Sequence, residues 1–255
     1  MNHRIRAALT AAIAVSMFAL LVAAAGAQAS ANPPAPKQGG EKTVEEAYLQ
    51  ESAEAVIVKE LAQSTDRDSK EIALDYAQKA VDAGHKSDDI RASLEYLVLE
   101  NTDVIVRDAG LGIATNNFPD IRRRACQYLG EFPSVESKDT LVKVIGNSKV
   151  EDPMVLAEAI RSLGKIGMND NDEVVHAICN SVNHFSHVGM SEDRLAVYTL
   201  FAFTDLADKN KGIKDMSSVT DTILEFTKGS YLPTVRKLAM QTLEKLASYA
   251  AASAN

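Results

Sequence analysis

The segment "DPMVLAEAIRSLGKIG", residues 152–167, decides the fold. Its apolar residues recur three and four positions apart, which is the spacing of one face of an α-helix. Its proline suits the first turn of a helix, where the N–H group that proline lacks would have no backbone partner. The segment therefore predicts an amphipathic helix that begins near Pro153 and buries one face.

The same pattern occurs elsewhere in the chain. In the three clearest copies a β-branched residue follows the first residue by two positions, and a leucine follows it by ten. The five copies start 31 to 40 residues apart, which lies within the range of helix-pair repeats. Three copies begin with proline and two with aspartate: Pro119, Pro153 and Pro233, then Asp88 and Asp193.

Other amphipathic segments precede these copies, so the chain alternates a first helix (A helix), a turn and a second helix (B helix). One such pair cannot bury its apolar face alone, whereas stacking on neighbouring pairs buries it. Only 5% of residues are aromatic, which favours helices over sheets. The sequence predicts an all-α fold, an α-solenoid of about five helix pairs with an additional N-terminal helix over 44–63. The predicted A helices span 67–83, 103–116, 137–146, 172–186 and 216–228.

This pattern resembles the HEAT-repeat family. The segments "DPMVLAEAIRSLGKIG" and "LPTVRKLAMQTLEKLA" (232–247) are similar to the family's Asp-Pro-x-Val-Arg-x-x-Ala-x-x-x-Leu-Gly motif, and the resemblance covers residues 66–249. The aspartate before proline is present only as Asp152, and the arginine as Arg122 and Arg236. The resemblance implies a protein-binding scaffold, whose B helices are expected to line a concave surface.

The N-terminus has the composition of a signal peptide, because a basic start and an apolar run precede Ala-Gln-Ala. This arrangement predicts cleavage before Ser30. The alternative is an uncleaved membrane anchor, since the apolar run is nearly long enough to span a bilayer. The predicted limits are 1–29 for the signal peptide, 30–42 for a flexible Pro/Gly/Ala-rich spacer, 43–250 for the solenoid and 251–255 for a C-terminal tail.

Charge restricts the partners of the mature chain. Removing residues 1–29 takes away Arg4 and Arg6, which leaves 25 basic and 35 acidic side chains and a net charge of -10. Nucleic acid and anionic membrane surfaces carry the same sign, so neither is expected as a partner. The signal peptide predicts a periplasmic or secreted protein.

The two cysteines are expected to be free and buried. Cys126 occupies a position that is apolar in the other copies, where it is filled by Ile160, Leu200 and Met240. Cys179 lies two layers away in the predicted stack. Since helix layers are about 8–10 Å apart, the two α-carbons exceed the ~7 Å limit for a disulfide.

No catalytic or metal-binding residues are predicted. The helical phase of "HAICNSVNHFSH" (176–187) divides its histidines and Cys179 between core and solvent, so they cannot surround one metal ion. The chain contains no recognisable nucleophile–base pair or glycine-rich phosphate loop. We therefore expect no cofactor and no enzymatic activity.

The residues "IRRRAC" (121–126) place three arginines at the start of one B helix. Arg122 stands where the family has its structural arginine. The other two point away from the predicted core, as do basic residues on later B helices, and together they form a candidate basic strip for an acidic segment of a partner. The alternative is a solvated helix face. The candidate partner-binding residues are Arg123, Arg124, Arg161 and Lys237.

These observations predict an exported, non-enzymatic protein-binding scaffold of the bacterial cell envelope. One alternative is a structural subunit or assembly factor of an envelope or appendage complex. Another is an enzyme or enzyme accessory of the HEAT-like lyase type, against which export and the acidic charge argue. The sequence leaves the identity of the partner and the oligomeric state open.

Overall fold

The computed structural model describes residues 43–100, 110, 117–147, 151–187 and 192–253. Within these residues the chain forms ten α-helices and no β-strand, which confirms the all-α prediction. The predicted signal peptide, spacer and A helix over 103–116 lie outside the described residues. The helices are α1 (Val44–Ala62), α2 (Arg67–Asp82), α3 (Asp88–Leu99), α4 (Pro119–Leu129), α5 (Val135–Gly146), α6 (Pro153–Ile166), α7 (Glu173–His187), α8 (Asp193–Asn210), α9 (Met216–Glu225) and α10 (Pro233–Ser253).

The helices stack as an α-solenoid. The B helices α3, α4, α6, α8 and α10 form one row in which each packs against the next. The A helices α5, α7 and α9 form a second row in the same way, and α2 packs against α1, α3 and α4. The additional helix α1 packs against α2 and α3, at the N-terminal end of the B row. The predicted architecture is therefore confirmed.

Side-chain caps set the helix starts. Asp66 and Ser87 accept hydrogen bonds from backbone N–H groups in the first turns of α2 and α3, and Asp152 accepts one from the N–H of Met154 on α6. Such caps satisfy N–H groups that have no partner within the helix. Helix α5 begins at Val135, two residues before the predicted start, because the Ser134 side chain caps it.

The apolar positions of the repeat form one continuous core. The leucine ten positions after the helix start is buried in α4 and α6 as Leu129 and Leu163, but Leu243 in α10 is only partly buried. Among the described helices, none packs over this side of α10 to cover the Leu243 side chain. The last helix instead buries Leu246, three residues further on.

Small residues bring α6 close to both of its neighbours in the B row. A Cβ atom added to Gly164 would lie 2.6 Å from the Cα atom of Ala202, so only glycine fits this contact. A Cβ atom at Gly130, directly after α4, would lie 2.7 Å from the Oγ atom of Ser162 on α6. The centre of the B row is therefore packed at backbone-to-backbone distance.

The turn before α7 ties the fourth helix pair to the fifth. The Asn169 side chain accepts a hydrogen bond from the N–H of Val175 and donates one to Asp172. The buried Asp172 carboxylate also accepts the N–H groups of Lys214 and Asp215, at 2.8 and 2.7 Å. Because this carboxylate orders both turns, the two pairs are held in register there.

Candidate functional site

One surface of the B row combines charged side chains with exposed apolar ones. We call it the B-helix face. Its residues come from three successive B helices: Arg123 and Arg124 on α4, Met154, Glu158 and Arg161 on α6, and Arg194, Phe201 and Asp205 on α8. Three of the four candidate partner-binding residues lie on this face.

Arg124 is directed towards the preceding helix pair. It donates a hydrogen bond of 2.6 Å to Asp75 on α2 and lies 3.9 Å from a carboxylate oxygen of Glu71. Its guanidinium carbon also lies 5.8 Å from the ring centre of Tyr128, within the range of a cation–π contact. Arg124 therefore links α4 to α2, and its charge is balanced by two carboxylates.

Arg123 and Arg161 are directed towards the following helix instead. Arg123 lies 3.8 Å from Glu158 on α6. Arg161 donates a hydrogen bond to Asp205 on α8, and its guanidinium carbon lies 5.4 Å from the ring centre of Phe201. These contacts place both arginines on a ladder of charges that crosses from α4 to α6 to α8.

Glu158 occupies the middle of this ladder. Its side chain is buried, and this burial raises the pKa of the carboxyl group. Four cations oppose that shift by favouring the carboxylate: Arg123, Lys165, Arg194 and Arg161. These four cations face three carboxylates, because Asp205 also pairs with Arg161 and Glu131 pairs with Lys165.

Arg194 supplies much of this imbalance. Its side chain is exposed at the start of α8 and, among the residues that the structure describes, forms no ion pair within 4 Å. The neighbouring B helices leave Met154 and Phe201 37% and 39% exposed. We call Arg123, Met154, Glu158, Arg194 and Phe201 the central cluster.

Of the central cluster, only Arg123 was predicted from the sequence. The prediction rested on basic side chains of the B helices, so it omitted the exposed apolar residues, and it also omitted the basic residue Arg194. The repeat alignment contains the signal: Met154 and Arg194 each stand one position after a helix start, and Phe201 stands eight positions after Asp193. Both positions lie opposite the apolar stripe.

Lys237 lies apart from the central cluster. It is exposed on α10, the last B helix, and within the described part of the chain it pairs with no carboxylate. In the repeat it is equivalent to Arg123, which contacts the following helix. Among the described helices, α10 packs only against earlier ones, so the structure does not bring Lys237 together with the three arginines.

Arg122 and the cysteines are structural. The Arg122 guanidinium is buried, donates a hydrogen bond of 3.1 Å to the carbonyl of Val98 and pairs with Glu151. Both cysteines are free and buried, as expected. Burial raises the pKa of the Cys126 thiol and raises that of Cys179 to about 11, so neither thiol is poised as a nucleophile.

The α7 histidine His176 is exposed, and its Nε2 atom lies 3.1 Å from the carboxylate of Asp215, directly before α9. Across the residues that the structure describes, no group of three or more His, Cys, Asp or Glu side chains is placed to bind a metal ion.

Residues 110–184 match the family model described as HEAT repeats. This range includes α4 and α6, which supply five of the eight residues of the B-helix face. The search of curated proteins gives no match. Among the described helices, none is both long and apolar enough to cross a membrane.

Proposed function

Because this chain is a HEAT-repeat protein, we propose that it is an exported, non-enzymatic scaffold that binds another protein on its B-helix face. The observation that carries the proposal is the central cluster. It places exposed apolar side chains beside a positive charge that the chain leaves unbalanced. A surface of this composition fits a protein segment better than it fits a small molecule, for which a deeper and more enclosed pocket is usual.

The charges define the kind of segment. Arg194 is free to pair with an acidic side chain, and Arg123 is held only loosely by Glu158, at 3.8 Å. The Phe201 ring lies against the Arg161 guanidinium and is 39% exposed, so it offers an apolar contact to a partner. Aromatic and arginine side chains of this kind dominate the energy of many interfaces. The expected ligand is therefore an acidic segment that carries at least one apolar anchor.

The net charge of the chain also favours an acidic partner. An acidic chain with a local positive region attracts an acidic partner only at that region, which limits where the partner can dock. Complementary charges accelerate association and fix its register more than they raise the affinity. The partner should consequently bind faster at low salt than at high salt.

The binding test begins with a photoactivatable residue in place of Phe201, which identifies the partner by crosslinking in the cell-envelope fraction. Arg194→Glu should then weaken binding of that purified partner about tenfold at low salt, which is a loss of about 1.4 kcal/mol. The loss should diminish at high salt, because salt screens exposed charges. Titration at both salt concentrations measures it.

Lys143→Glu is the matched control. Lys143 is exposed on the A helix α5 and changes charge by the same amount, so this variant should bind as the unmodified protein does. Equal binding by the Arg194 and Lys143 variants would exclude the central cluster as the docking site.

Export is part of the proposal and rests on the N-terminal sequence. The basic start, the apolar run and Ala-Gln-Ala favour cleavage before Ser30 and a periplasmic or secreted location. We expect mass spectrometry of the protein isolated from cells to show an N-terminus at Ser30. A chain that retains Met1 would indicate an uncleaved anchor instead.

A further inference from the structure

The B helices use the same positions to contact the next helix in the row. Four, seven, eight and eleven residues after its start, α6 has Ala157, Ile160, Arg161 and Gly164. Ala157 and Ile160 are buried, Arg161 pairs with Asp205 on α8, and Gly164 lies against Ala202. In α4 the same positions hold Arg123, which faces Glu158, and the buried Cys126. These positions therefore form the surface on which the following repeat stacks.

The last B helix leaves this surface uncovered. In α10 the equivalent positions are Lys237, Met240, Gln241 and Glu244, which we call the end face. All four are exposed, and Met240 is 50% exposed, although its equivalents Cys126, Ile160 and Leu200 are fully buried. Among the described helices none covers these positions of α10, which therefore present a stacking surface and not the wholly polar face that a terminal repeat usually carries.

The charges of the end face are self-complementary. Lys237 and Glu244 are seven residues apart, which is two helical turns or about 10 Å along the axis. The midpoint between them falls between Met240 and Gln241. A two-fold axis through this midpoint, perpendicular to α10, would set Lys237 of one copy opposite Glu244 of the other, and would do so twice.

The same operation is favourable for the remaining residues of the face. It places Met240 of one copy opposite Gln241 of the other beside the axis, so each Met240 side chain is covered by the aliphatic part of a glutamine. It also places Thr234 of one copy opposite Ala247 of the other, and small side chains there let the helix ends approach closely. Both residues are exposed in the single chain. Neither Lys237 nor Glu244 forms an ion pair within the described part of the chain, so both are available for the contact.

We propose that the end face binds a second copy of this chain, with the two α10 helices antiparallel about a two-fold axis. The same patch on both subunits forms such an interface, so the assembly closes at two chains. This inference goes beyond the proposed function and does not depend on it. Because the contact is centred on one helix pair and is smaller than the standard interface of about 1,600 Å², we expect a dissociation constant on the order of 10 µM.

Sedimentation equilibrium of the purified protein over a range of concentrations tests the proposal. The protein should change reversibly from monomer to dimer, with no larger species. Lys237→Glu and Glu244→Lys should each weaken the dimer at least tenfold, because each variant places like charges opposite one another twice. The double variant Lys237→Glu/Glu244→Lys should restore it.

Mixing the two single variants provides a second measurement. Each dimerises poorly alone, but in a mixed pair every contact across the two-fold axis again joins opposite charges. A one-to-one mixture should therefore form heterodimers with nearly the affinity of the unmodified protein. Lys143→Glu, on α5, serves as the control and should leave the dimer unchanged.

Three results would overturn the proposal. One is a protein that stays monomeric at concentrations well above the expected dissociation constant. Another is a dimer that persists unchanged in both single variants, which would place the interface elsewhere. The third is growth to ever longer assemblies, which would indicate head-to-tail stacking of the end face on a different surface.

Discussion

Replacing Glu151 with alanine is expected to lower the free energy of unfolding by about 3–5 kcal/mol. Glu151 pairs with Arg122, and both side chains are buried. Its other carboxylate oxygen accepts the N–H of Asp152, directly before α6. Removing the carboxylate leaves the guanidinium charge buried, with the Val98 carbonyl as its one remaining partner among the described residues. Urea unfolding followed by circular dichroism measures the loss.

Two comparisons identify the cause of this loss. Glu225→Ala removes an exposed ion pair with Lys228 on the surface, and should cost no more than about 1 kcal/mol. The apolar double variant Arg122→Met/Glu151→Leu should recover most of the stability, because it buries no charge. If the double variant were as unstable as Glu151→Ala, the loss would come from packing and not from an unpaired charge.

Replacing Leu163 with alanine should cost about 2–5 kcal/mol, whereas the equivalent change at Leu243 should cost about 1 kcal/mol. In the repeat pattern both leucines stand ten positions after the helix start, so the sequence alone predicts equal burial for them. In the structure Leu163 is fully buried between α6 and its neighbours, while Leu243 is only partly buried on the last helix. Leu246→Ala should instead reproduce the larger effect, since Leu246 is buried.

Urea unfolding measures this series as well. The order of the three losses matters more than their size, because all three variants remove the same number of atoms. A loss at Leu243 equal to that at Leu163 would mean that another element covers α10 in solution. The dimer proposed above could supply that cover, so the series should be measured at a protein concentration well below 10 µM.

Periodicity was sufficient to predict the helices. All five B helices begin at the predicted residues, since each start carries a proline or an aspartate followed by the same apolar spacing. The A helices deviate by up to three residues, because their ends depend on single side chains such as Ser134. Helix α9 ends at Glu225 and not at residue 228, since the residues after Glu225 form turns.

The pairing of side chains between repeats could not be predicted. Spacing shows which face of a helix is exposed, but it does not show which neighbour that face meets. Arg161 and Asp205 are 44 residues apart, and only the stacking of α6 on α8 brings them into contact. The same limitation hid the exposure of Met240, because its equivalents in the other copies are buried and only its place at the end of the row distinguishes it.

The contact between Gly164 and Ala202 has a mechanical consequence. A solenoid can bend like a spring, since each repeat touches only its neighbours. Bending that shortens the B row would press α6 into α8, where backbone atoms already meet without an intervening side chain. The contact between α6 and α8 therefore cannot be shortened further without a clash of backbone atoms. We therefore expect bending in this direction to occur at other helix contacts of the row, such as that between α8 and α10. A partner that bends the row should deform its C-terminal end first.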